Sequence, residues 1–197
     1  SVKDQGFLLS MAQMLWDRAD GSGYAYHIQN HPLPNTPSHS VLLQVAYGDH
    51  QVSMWSAEMM ARTIGAYLRI PALEQGRHPD SNPYFELQPV PAGDVTASVL
   101  TIWDNGPVGG GAIHGGTAPP PTTNTPPFEP DFGEDPHSWP RKDPLAQAQK
   151  SAFLKPEGVG KFVDTCDPGL PCTTDGYLPG GALSLLFQGP ATSVFRF

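Results

Sequence analysis

Hydrophobic residues recur at helical spacing over residues 5–18, where Phe7, Leu8, Met11, Met14 and Leu15 share one stripe. Asp17, Arg18 and Asp20 end that segment in polar residues, and Gly21-Ser22-Gly23 stops it. The spacing therefore predicts an amphipathic helix, followed by a loop rich in Pro, His and Asn over 23–39. Residues 41–47 then form a short, nearly unbroken apolar run of β-forming residues. Such a run predicts a strand covered on both faces, as in parallel sheets. Gly48-Asp49-His50-Gln51 interrupts it, and Ser53 is placed to cap a helix whose stripe is Met54, Ala57, Ala61 and Ile64, ending near Gly65. Helix, strand, sharp loop and helix in succession make one unit of an α/β fold.

Beyond Pro71 the pattern loosens. Residues 84–88 predict a strand, and residues 98–103 a clearer one that ends at Asp104-Asn105-Gly106. The stretch 107–136 is dominated by Gly, Pro and Thr and predicts a long surface excursion. Asp143-Pro144 opens a helix to Leu154, with Asp as cap, Pro in the first turn and a buried side of Leu145, Ala148, Ala152 and Phe153. A short strand is expected at 161–164, and no internal repeat is visible. The organisation that follows is a main unit over 1–165, then a cysteine loop and tail over 166–197. Within that tail, Leu185-Leu186-Phe187-Gln188-Gly189-Pro190 resembles a picornaviral cysteine-protease recognition peptide. We read this as coincidence, because the residues after it resemble no tag.

Composition narrows the function classes. The 197 residues suffice for one domain with a real core, and 23 Pro with 21 Gly demand long loops. A formal net charge of −8 without a basic cluster argues against nucleic acid or an anionic membrane surface as partner. No apolar run approaches the roughly 18 residues that span a bilayer. The two cysteines, Cys166 and Cys172, flank a Pro168-Gly169 turn, which favours a small disulfide loop and an exported (secreted, periplasmic or cell-surface) protein. Two reduced thiols are the alternative. No further Cys or His pair follows at zinc-like spacing, so no metal site is expected.

The chemistry concentrates after the first strand. A carboxylate just beyond a buried parallel strand lies at the carboxyl edge of the sheet, where α/β folds bind ligands, and Gly48 permits the turn that aims Asp49. Strand, Gly, Asp, then Val52 before a helix resembles the acid turn of the α/β-hydrolases. The stretch around His137, Glu134-Asp135-Pro136-His137-Ser138-Trp139-Pro140-Arg141 ahead of the last helix, resembles the histidine region of large bacterial secreted hydrolases. The resemblance implies an α/β fold class: a partial α/β-hydrolase holding the last parallel strands and helices of the sheet plus long Pro/Gly-rich loops. It further implies Asp49 as triad acid and His137 as base, with His114 the competing base and His78 the other histidine downstream of the acid. The plainer alternatives are an Asp49 that only closes a turn and a His137 held as a loop residue by Asp135 or Trp139.

The nucleophile is missing. No Gly-x-Ser-x-Gly elbow occurs; Ser22 has glycines only as immediate neighbours. The resemblance thus implies the carboxyl-terminal half of a serine esterase or lipase-like enzyme, acting on a small acyl or ester substrate and needing no cofactor. Its serine would lie on the amino-terminal half of the same precursor or on a companion chain. The alternative, from another class, is a non-catalytic secreted or cell-surface binding module built on a hydrolase-like half-sheet. Asp104-Asn105-Gly106 and Asp175-Gly176-Tyr177 lack the ligand spacing of a calcium loop and read as turns, and Trp55, Trp103 and Trp139 read first as core or loop anchors.

Overall fold

The computed structural model describes residues 1–93, 95–120 and 132–180. Part of the Pro/Gly/Thr excursion and the tail bearing Leu185 to Pro190 lie outside the described residues.

Two strands organise the fold. β1 (Leu42–Ala46) runs parallel to β4 (Val99–Asp104), pairing Leu42 with Val99 through Ala46 with Trp103. On its other side β4 takes two short parallel partners: β2 (Tyr67–Leu68) beside Val99 and Leu100, and β6 (Cys172–Thr173) beside Trp103 and Asp104. Every residue of β4 is buried, as its apolar run requires of a central parallel strand. β1 is only half-buried along most of its length, contrary to the expectation of full coverage, because its outer edge pairs with no strand among the described residues. β3 (Val95–Thr96) and β5 (Lys161–Phe162) form a separate antiparallel pair, so the strand expected at 161–164 is present but shorter.

Helices cover both sheet faces. α2 (Met54–Ile64) packs its Met54, Ala61 and Ile64 side inward and ends at Gly65, whose φ of +80° closes the helix. With Tyr47, Leu68, Leu87, Leu100 and Ile102, Met54 and Ala61 form the main core. The opposite face buries Trp103, Ala146, Cys166 and Cys172 beneath α4 (Pro144–Leu154), which the short α3 (Trp139–Lys142) precedes. Alternation along the strands sorts the side chains. Leu43 and Val45 lean on the main core, while the Gln44 amide donates to Gln149 Oε1 (3.0 Å) and the Ala146 carbonyl (2.8 Å).

Several sequence expectations are corrected. The first helix exists as α1 (Val2–Trp16), started by a Ser1/Asp4 capping box, yet its apolar stripe is uncovered: Phe7, Met14 and Leu15 are 67, 72 and 77% exposed. A 3-10 helix over Gly21–His27 occupies the start of the expected loop. Residues 84–88 are not a strand, because Glu86 adopts a φ of +65° that breaks an extended backbone. The buried face of α4 is Ala146, Gln149 and Phe153; Leu145 and Ala148 face outward, because Gln149 must reach Gln44 and Thr101. In α2, Glu58 is buried through its contact with His78, and Ala57 is only half-buried. The disulfide is formed as expected, with the Cys166 and Cys172 α-carbons 5.3 Å apart, and β6 grows directly from it. No helix among the described residues is long and apolar enough to cross a membrane.

One ion pair closes the carboxyl end of β4. Arg77 donates from Nε and Nη2 to the two Asp104 oxygens, each at 2.8 Å, and both side chains are almost fully buried. Nη2 also bonds the carbonyls of Gly106 and Thr117, so one guanidinium fixes the loop that leaves the sheet. Removing one partner strands the other charge. Asp104→Ala is expected to lower unfolding stability by about 3–5 kcal/mol, measured by urea denaturation.

Candidate active site

The acid turn is built at the end of β1. Tyr47 N donates to the Trp103 carbonyl and is the last sheet-like contact before Gly48, whose φ of +77° reverses the chain. A Cβ at Gly48 would stand 2.5 Å from the Thr117 methyl, so position 48 accepts no side chain without movement. Asp49 then performs two tasks with its two oxygens. Oδ1 accepts from the backbone of Gln51 (2.8 Å) and Val52 (2.9 Å), closing the turn that leads into α2. Oδ2 accepts from His137 Nδ1 at 2.8 Å. One carboxylate thus closes the turn with one oxygen and meets the His137 imidazole with the other.

His137 sits in a 3-10 turn, Pro136–Ser138, capped by Asp135. Asp135 Oδ1 accepts from the backbone of His137 (3.1 Å) and of His50 (3.3 Å), and Oδ2 from Gln51 Nε2 (2.8 Å). This carboxylate thus staples the histidine turn to the acid turn. Burial alone would raise the Asp135 pKa, but these donors outweigh it and hold the carboxyl below its usual range. The Asp49 carboxylate makes Nδ1 the donor of this bond, and no described group hydrogen-bonds Nε2. The ring is 25% exposed and opens on a cavity of about 430 Å3 lined by Gln44, Ala46, Val52, Pro140, Arg141 and Lys150.

His114, the competing base, is held by a different carboxylate. Its Nδ1 faces Asp175 Oδ1 at 2.5 Å and its backbone N–H donates to Asp175 Oδ2 at 2.9 Å. The Asp175 contact raises the imidazole pKa above its ordinary value. Its ring stacks at a tilt on Trp139, centroids 4.9 Å apart. His78 is sealed instead: Nε2 meets Glu58 Oε1 at 3.1 Å, and Nδ1 accepts from the Asp80 backbone, beneath Tyr47, Trp55 and Tyr84. Asp49 and His137 are brought together, His114 is paired elsewhere and His78 is structural. The contributions of Gln51 and Asp175 were not foreseen. Asp175 carried one signal, a Gly on its carboxyl side, which marks a turn rather than a histidine partner.

Two substitutions test this geometry. In Asp49→Asn, the side-chain amide can keep the turn bonds but loses the anionic acceptor, so the low-field Nδ1 proton resonance of His137 is expected to vanish from the proton NMR spectrum. Asp135→Ala removes a cap and the staple together and is expected to cost about 1–2 kcal/mol in chemical denaturation. No protein-family model, curated protein or solved structure matches this chain, so the reading of the site rests on its geometry and chemistry.

Proposed function

We propose that this chain supplies the acid and the general base of an exported serine hydrolase of the α/β-hydrolase type, acting on an ester or related acyl substrate. The observation that carries the proposal is the Asp49 Oδ2–His137 Nδ1 contact of 2.8 Å at the carboxyl edge of a parallel sheet, with Nε2 uncommitted. In this role Nε2 takes the proton of an attacking serine and returns it to the leaving group, while Asp49 keeps the tautomer and stabilises the imidazolium. The serine and its oxyanion donors come from a preceding segment of the same precursor or from a companion chain. Three features support such a companion: the absence of a nucleophile elbow in the sequence, the outer edge of β1 that pairs with no strand among the described residues, and the exposed apolar side of α1. The disulfide supports export.

The uncovered side of α1 also favours a second reading, a non-catalytic secreted module that docks on a partner. Native material, with everything that co-purifies, distinguishes the two when treated with a fluorescent fluorophosphonate. A labelled chain is expected, with labelling slowed by about 10⁴-fold in His137→Gln and little changed in His114→Gln. Absence of any labelled species, or labelling indifferent to His137→Gln, removes the hydrolase reading in favour of the docking module.

A further inference from the structure

Beside the dyad, three side chains from separate segments converge. His114 comes from the loop after β4, Glu134 immediately precedes the Asp135 staple, and Asp175 follows β6. One donor atom from each lies within 4.8 Å of the other two. The Asp175 side chain is fully buried. Glu134 Oε2 is sealed from solvent and has no hydrogen-bond partner among the described residues. A carboxylate oxygen in that position is unfavourable unless something positive meets it. Lys142 does not do so, since its Nζ lies over the Trp139 ring, 5.0 Å from its centroid, and makes no salt bridge to Glu134; the His114 Nδ1 is bonded to Asp175 instead.

We propose that His114, Glu134 and Asp175 form a binding site for a divalent cation, with Zn²⁺ preferred over Ca²⁺. One imidazole nitrogen with two carboxylates matches the donors zinc takes, whereas calcium sites are built from oxygens alone. The donors of a tetrahedral zinc ion stand about 3.4 Å apart, so closing a group whose donor atoms lie within 4.8 Å of one another needs shifts of up to about 1.4 Å. Solvent completes the coordination on the exposed His114 side. The grouping of Asp164, Cys166 and Cys172 offers no comparable site, because its sulfurs are spent in the disulfide. The bound ion ties together the loop after β4, the turn after β6 and the residue next to Asp135. It thereby restrains the His137 turn from behind and takes no part in the reaction. The proposal is independent of the hydrolase reading, since it concerns ligands and not turnover.

Nothing in the ligand spacing announces this site. The expectation of no metal rested on the absence of clustered Cys or His pairs, and these three ligands come from three distant stretches of chain.

The test uses the whole protein, stripped with a chelator and titrated calorimetrically with Zn²⁺ and, separately, Ca²⁺. One Zn²⁺ per chain is expected, with affinity at least about tenfold lower in His114→Ala and in Glu134→Gln. His114 is half-exposed and Glu134→Gln keeps its shape, so circular dichroism of the metal-free variants should match the parent. Co²⁺ should give absorption bands that shift in His114→Ala, reporting a nitrogen ligand directly. No Zn²⁺ uptake overturns the site, as does uptake unchanged in both variants, which would move the ion to another histidine. Calcium bound as tightly as zinc overturns the role of the imidazole. Fluorophosphonate labelling of the same samples is read separately, so a failure of this site is not confused with a failure of the catalytic proposal.

Discussion

The parallel register between β1 and β4 is the constraint on which the other features depend. Pairing Ala46 with Trp103 brings both strands to an end at the same edge, so the chain leaves the sheet twice within reach of one small region. Asp49 leaves from the first strand and Asp104 from the second. Asp104 is spent on Arg77, which anchors the outgoing loop; Asp49 is left free to take a side chain from that loop's far end. A change of one residue in register would turn the Gln44 amide away from Gln149 and bring Leu43 or Val45 under α4, because strand side chains alternate between faces.

The site is held mainly by backbone donors that converge on carboxylates. Asp49, Asp104, Asp135 and Asp175 each accept at least one backbone N–H while binding a histidine, glutamine or arginine side chain. Such double use gives each carboxylate a defined rotamer, so the imidazole of His137 is aimed without being buried. Among the described residues, the ends of the proline- and glycine-rich loops are pinned by hydrogen bonds to charged side chains. The cost of such an arrangement is local dependence on single residues.

The two faces of the chain differ in completeness. Around β4 every layer is filled, from α2 through the strands to α4 and the disulfide. Around β1 the outer edge pairs with no strand among the described residues, and α1 exposes Phe7, Leu8, Met14 and Leu15. An amphipathic helix gains little from its apolar side unless that side is covered.

The sequence by itself determined the elements whose signal is local. The strands at β1 and β4, the helix α2 that starts after Ser53 although the Ser53 hydroxyl caps nothing, the Asp143 cap of α4 and the two-cysteine loop follow from periodicity and turn chemistry, which act over a few residues. Asp49 was legible as a carboxylate at a strand end, and His137 through the resemblance of its surroundings. Only the tertiary structure decided which histidine the Asp49 oxygen meets, that α1 lies uncovered, and that Gln149 rather than Leu145 or Ala148 turns inward. It alone also decided that the two-residue strands β2 and β6 join the sheet and that Glu134 and Asp175 gather around His114. Each of these depends on groups far apart in the chain, and a contact between distant segments leaves no periodicity in either of them.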